Sequence, residues 1–323
     1  MKTIFKSSLF FALIILISFA TSCSSNSSDD NPNTAELEGT ITASGAFALY
    51  PLMVKWGEEF KKIHPDVKFN ISAGGAGKGV SDALGGLADL ALVSRDLKDA
   101  EVKQGGYAIA VTKDAVVPTI NEANPNINEI LAKGLSKESF YKLFIENSAS
   151  DWKQLGFSAS AQTHIYTRSD AAGAAESWAK YLGKKQEDLK GVGVFGDPGL
   201  LQAVLKDPSG VGYNNIGYVF DLKTKQPLPG VKIIPIDVNA NGVIDTDENN
   251  FSNLDSLLSA INTGKYPSPP ARDLYFVTKG KPADKVLVEF IKWVLTDGQQ
   301  FVASSGYVAF SKEKLEGELK KLK

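Results

Sequence analysis

FNISAGGAGKGVSDAL, Phe69 to Leu84, joins a strand-like apolar run to an amphipathic helix through a turn of glycine and alanine. Two other stretches have the same build: ITASGAFALYPLMVKW from Ile41 to Trp56, and HIYTRSDAAGAAESW from His164 to Trp178. Such turns let a backbone approach a bound group closely, and the helix behind each presents unpaired N–H groups. The helix dipole adds about half a positive charge at that end, so each turn is a seat for an anion. Arg95 and Arg168 fall in or just after two of these units, which points to a small oxyanion held by several turns at once.

Outward from these turns, strand and helix patterns alternate. Leu49, Leu52, Met53, Trp56 and Phe60 recur at helical spacing, with Pro51 in the first turn, where its missing N–H costs nothing. Val67 to Ile71, Asp89 to Val93 and Tyr107 to Val111 read as strands, and Val80, Ala83, Leu84 and Leu87 as one helix face. This rhythm predicts a mostly parallel sheet with helices on both faces, and ligands then sit beyond the carboxyl ends of the strands. Ala115 to Ile120, broken by Pro118, predicts a crossing into a second lobe, and Tyr275 to Thr278 a crossing back. In the second lobe come a helix around Phe140 to Ile145 and a strand-rich stretch from Val211 to Ile236. Helices over Val286 to Leu295 and Gln299 to Ala303 complete the first. The expected division is 38–114 with 272–323 as lobe 1 and 115–271 as lobe 2.

GGAGKG, Gly74 to Gly79, does not carry a nucleotide. A P-loop needs Gly where Ser72 stands and Ser or Thr where Gly79 stands, and the dinucleotide fingerprint fails because its third glycine comes one residue early. Cradling of a simple anion needs only backbone, and that remains. Arg95 and Arg168 each end an apolar strand; a guanidinium offers a planar fork for an oxyanion, and Asp170 stands where it can orient Arg168. Catalytic motifs are missing: there is no G-x-S-x-G, no H-E-x-x-H, and only two histidines, His64 and His164.

The chain opens with Lys2 and Lys6, an apolar run from Leu9 to Phe19, and small residues up to Cys23, the only cysteine. The run is short for a membrane span, so residues 1–22 are expected to be a signal peptide. Cys23 at the cleavage point resembles the lipidation site of bacterial lipoproteins, and a lone cysteine excludes an intrachain disulfide. Residues 23–37 then read as a lipidated flexible tether. Without residues 1–22 the formal charge moves from −2 to −4, which gives no support to nucleic-acid binding. The expected location is exported and membrane-anchored, periplasmic or on the cell surface, and the expected state a monomer.

DVNANGVIDTDE, Asp237 to Glu248, satisfies the calcium-loop pattern D-x-[DN]-x-[DN]-G-x5-E. Asp237, Asn239 and Asn241 supply oxygens at positions 1, 3 and 5, Val243 a carbonyl at 7, Asp245 a group at 9, and Glu248 a two-oxygen clamp at 12. A strand precedes the loop and a helix around Leu254 to Ile261 follows it, so the expectation is one structural Ca2+ outside an EF-hand pair.

Several of these segments together resemble the phosphate-binding proteins of bacterial ABC-type phosphate importers. The likeness rests on ITASGAFALYPLMVKW, AGGAGKGV with DLALVSRDL, RSDAAGAAESW, YPSPPARDLYFVTKG and GQQFVASSGYVAF, in that order. It implies a two-lobed α/β fold, the type 2 periplasmic-binding-protein fold, with a hinge between lobes that close on phosphate and no enzymatic activity. Carried over by position, the ligand contacts would be Ala46, Phe47, Ala48, Ala76, Gly77, Arg95, Arg168, Ala172, Gly173 and Ala174, with Asp170 holding Arg168. The partner would be an ABC importer permease. Where the family often has Ser or Thr hydroxyls this chain has Ala or Phe, and Arg95 stands where some members place a proton-accepting Asp. A sensing or adhesion lipoprotein of the same fold, a binder of another oxyanion or of a larger phosphorylated ligand, and a phosphate-ester hydrolase remain as alternatives.

Overall fold

The computed structural model describes residues 37–323; the expected signal peptide, Cys23 and nearly all of the expected tether lie outside them. The first strand, Gly39–Gly45, lies parallel to both Val67–Ala73 and Leu90–Val93. Between the first two runs the helix Tyr50–Ile63, which buries Leu52, Met53, Trp56 and Phe60. Each such side chain contributes about 1.5–3 kcal/mol when taken out of water. Trp56 also donates to the carbonyl of Gly298 at 2.8 Å, so its one polar atom is satisfied inside the core.

Two long strands, Gly106–Asn121 and Ala271–Lys279, run antiparallel through the middle of the molecule. On one side they join the three strands above; on the other, Gly106–Asn121 pairs with Gly210–Asn215, followed by His164–Arg168 and Val192–Val194. Two separate hydrophobic cores result. One holds Ile41, Trp56, Phe60, Leu92, Phe276 and Phe290. The other holds Val117, Phe144, Trp178, Leu200, Tyr213 and Ile261. Where the long strands meet, Arg272 donates from Nε to Asp114 Oδ1 at 2.9 Å, both side chains being buried. Burial pushes the Asp114 carboxyl up, and Arg272 works against that.

Several expectations need correction. Pro118 breaks nothing: the strand is continuous for 16 residues, and the Pro118 carbonyl accepts from Ile234 N–H at 2.9 Å. Leu87 is 77% exposed, because the helix Ala76–Leu84 ends at Gly85 and Gly86, before Leu87 can join its buried face. The stretch expected as a helix around Gln299 is a 3-10 turn, Asp297–Phe301. Lys137–Tyr141 is α-helical but continues as a π turn over Lys142–Glu146.

Candidate functional site

Seven described helices have nine or more residues, and their N-termini fall into two groups. Leu254–Thr263, Lys285–Val294 and Lys312–Lys320 are capped by the side chains of Asn253, Asp284 and Ser311. Tyr50–Ile63, Ala76–Leu84, Gly173–Tyr181 and Gly196–Lys206 begin at Leu49, Gly75, Ala172 and Phe195, with no side-chain cap. A helix start leaves its first N–H groups without partners unless a cap supplies them. The starts at Ala76 and Gly173 border one narrow space, joined by the turn Ala46–Ala48 that leads into Tyr50–Ile63 and by Asp197 at the start of the fourth helix, whose Gly196 N–H already donates to Asp170 Oδ1 at 3.1 Å. The space is lined by Ala46, Phe47, Ala48, Gly75, Ala76, Ser94, Arg168, Ala172, Gly173, Ala174, Asp197 and Asn215.

The amides around this space divide in the same way. Ala46 N–H donates to Leu92, Gly77 N–H to Ala171, and Ala172 N–H to Gln186 Oε1. Those of Phe47, Ala48, Ala76, Gly173 and Ala174 have no acceptor among the described residues. The two lobes meet closely here. A Cβ on Gly173 would stand 2.2 Å from Ser94 Oγ, so only glycine lets the third turn reach the end of the strand Leu90–Val93.

Arg168 is buried and held on two sides. Nε and Nη2 donate to Asp170 at 2.8 and 2.5 Å, and Nη1 donates to Asp197 Oδ2 at 2.6 Å. Burial works against its charge, but Asp197 and Asp170 outweigh it, and the guanidinium holds its proton more firmly than a free one. Three of its five N–H donors are used, so one on each Nη remains for a ligand. Asp197 in turn accepts from the Asn215 backbone N–H at 3.0 Å. Phe47 closes the arrangement: its ring centroid lies 5.3 Å from Arg168 Cζ and 5.8 Å from the ring of Phe195. The walls leave no room for a free water, so an anion enters only if Phe47 or the lobes move.

Most residues expected at the site are therefore gathered in one place: Ala46, Phe47, Ala48, Ala76, Arg168, Ala172, Gly173 and Ala174 line it, and Asp170 braces Arg168 from behind. Two are not. Gly77 does not line the space, and its N–H is already used by Ala171. Arg95 faces away: it donates to both oxygens of Glu101 at 2.8 and 2.7 Å, and its Nε meets Glu176 at 2.7 Å. Four lining residues were missed, namely Gly75, Ser94, Asp197 and Asn215. The signal for Asp197 was present, since GVGVFGDPGLL, from Gly191 to Leu201, is a fourth strand-turn-helix unit opening on a small residue.

The acidic loop 237–248 is a tight turn held by its own carboxylates. Asp237 accepts from Asn241 and Gly242 N–H at 3.2 and 2.9 Å, and Glu248 from Val238, Asn239 and Asp245 N–H. Ala240 and Gly242 take left-handed conformations, at φ 59° and 81°. Asn239 and Asn241 turn their amide NH2 groups to Asp245. Among the described residues, no three His, Cys, Asp or Glu side chains gather closely enough to hold a metal by themselves. A bound cation would therefore draw on the amide and carbonyl oxygens as well.

The PBP superfamily domain pattern matches residues 30–298, and the chain belongs to that family. With its two lobes and central hinge strands it has the type 2 periplasmic-binding-protein fold. The phosphate-binding protein PstS of Staphylococcus epidermidis is 25% identical over 89% of this chain and 84% of its own. PstS of Pseudomonas aeruginosa is 27% identical over 88% of each chain. Among solved structures, an ABC-type phosphate transport receptor from Vibrio cholerae aligns with a TM-score of 0.61 at 21% identity, over 84% of this chain and 100% of that one. A Clostridium perfringens protein solved with bound phosphate reaches 0.68 at 23% identity, over 84% and 100%.

Proposed function

We propose that this chain is a non-enzymatic binding protein that takes inorganic phosphate between its lobes and delivers it to an ABC importer. The observation that carries the reading is the set of uncapped helix starts around Arg168, set against side-chain caps on the long helices elsewhere. Phosphate oxygens would accept from the amides of Phe47, Ala48, Ala76, Gly173 and Ala174, from Ser94 Oγ, and from the two remaining Arg168 donors. Asp197 would accept the proton of hydrogen phosphate, the role that Arg95 cannot fill. The PstS relatives support transport over sensing or adhesion, and the site offers a hydrolase no nucleophile beside an activating base.

The same reading has the chain exported and held to a membrane by lipid on Cys23; among the described residues no helix is long and apolar enough to cross one. A structural Ca2+ would be held by Asp237, Asn239, Asn241, Val243, Asp245 and Glu248, with the Asn amides turning from Asp245 to present oxygen. The test of the phosphate site is calorimetry on the tether-free protein. One phosphate should bind, and Arg168→Ala should weaken it severely, with circular dichroism reporting that the variant folds. Undiminished binding by the folded variant sinks the assignment.

A further inference from the structure

A second, larger cleft of about 890 Å3 shares the helix Gly173–Tyr181 as a wall with the narrow space around Arg168. That volume is of the size that holds whole small molecules, about 300–1,000 Å3. Its lining carries eight cationic side chains against four carboxylates, in a chain whose formal charge is −2. Part of that positive charge is internally balanced. Arg95 is taken by Glu101 and Glu176, Arg272 by Asp114, and Lys314 by Asp273. Lys113, Lys184 and Lys185 have no carboxylate partner among the described residues. They come from different parts of the fold: Lys113 from a hinge strand, and Lys184 and Lys185 from the turn after the helix Gly173–Tyr181. Pro269, Ala271 and Tyr275 give the same cleft apolar surface.

Ammonium groups without a carboxylate partner, of which only Lys184 has an aromatic neighbour among the described residues, Tyr141 at 5.8 Å, do not suit one orthophosphate in a roomy groove, because close-set amides grip it better. They suit a chain of phosphates, whose charges are also spread out and which lysine binds as a point charge. We propose that this cleft is a second binding site for a polyphosphorylated small molecule of the triphosphate class, lying across Lys113, Lys184 and Lys185. The site is separate from the orthophosphate seat and holds whether or not that seat is correctly assigned. Because Lys184 and Lys185 are exposed and Lys113 is half-buried, binding weakens as salt rises.

The experiment is calorimetry on the full exported chain with inorganic tripolyphosphate and, separately, a nucleoside triphosphate, each with orthophosphate in excess. Tripolyphosphate should bind despite the orthophosphate, and K113Q/K184Q/K185Q should weaken it about tenfold, the scale of three solvent-screened charge contacts. Orthophosphate binding by that variant should stay as in wild type. Tighter binding of the nucleoside triphosphate means that an organic body uses the apolar surface; equal binding means that the phosphate chain alone is read. The proposal is overturned if neither probe binds at millimolar concentration. It is equally overturned if the triple variant binds tripolyphosphate as wild type does, or if orthophosphate displaces the probe and Arg168→Ala removes it.

Discussion

Phe47→Ser is expected to strengthen phosphate binding. In wild type the ring lies over the Arg168 guanidinium and edge-on to Phe195, and the space beneath has no room for water. Seating an anion displaces the ring, which gives up a cation–π contact of about 0.5–2 kcal/mol and an aromatic pair of about 0.5–1.5 kcal/mol. Serine removes that cost and adds a hydroxyl whose hydrogen bond to a charged group contributes about 1.5–3 kcal/mol. Even the lower ends sum to about 2.5 kcal/mol, roughly a 70-fold fall in Kd. Calorimetry of the tether-free protein reads this directly. Phe47→Leu separates the two parts, because it deletes the aromatic contacts without adding a donor. Equal or weaker binding by Phe47→Ser refutes the idea that the ring obstructs the seat.

Three further outcomes are expected. Asp197→Asn should cut the preference for phosphate over sulfate by about tenfold, since sulfate has no proton to offer a carboxylate and its repulsion from Asp197 is relieved; an unchanged ratio in competition titrations removes Asp197 from ligand recognition. Glu176→Gln loosens the tie between lobes, because Glu176 accepts from Arg95 Nε at 2.7 Å and Lys98 Nζ at 3.2 Å. It should enlarge the ligand-free radius of gyration in X-ray scattering and weaken phosphate a few-fold, on the order of 1 kcal/mol for an ion pair that is largely out of water. Calcium at about a hundred times its Kd should add about 2.7 kcal/mol and raise Tm by roughly 4–5 °C, with no shift in Asp237→Ala; a melting curve indifferent to calcium and to chelator removes the metal site.

What could be read from sequence was local. The helical spacing of Leu52, Met53, Trp56 and Phe60, and the small residues opening three helices, are short-range facts, and they locate both the elements and the turns. Arg95 shows where such reading ends. Its position after Ser94 at a strand end suits a ligand contact, but Glu101 and Glu176, one six residues on and one in the other lobe, turn it away. No spacing rule reveals that neighbour. Asp197 was missed for the opposite reason: a Gly-Asp-Pro helix start looks like ordinary capping chemistry until Arg168, 29 residues earlier in the chain, is found against it.

The charge at the site also explains how alanines, which bring no hydroxyl of their own, can line it. Arg168 with Asp170 and Asp197 amounts to one excess negative charge, so the guanidinium alone does not attract an anion. Attraction must come from the helix starts, each contributing about half a positive charge, and three or more of them outweigh that excess. Backbone supplies this field whatever side chain stands at positions 46, 48, 76, 172 and 174, so replacing hydroxyls by Ala removes individual hydrogen bonds of about 0.5–1.5 kcal/mol each and leaves the seat in place. A buried field of this kind is screened little by salt, unlike the more open lysines of the second cleft. Raising the ionic strength should therefore separate the two sites, with orthophosphate affinity nearly constant while that of tripolyphosphate falls.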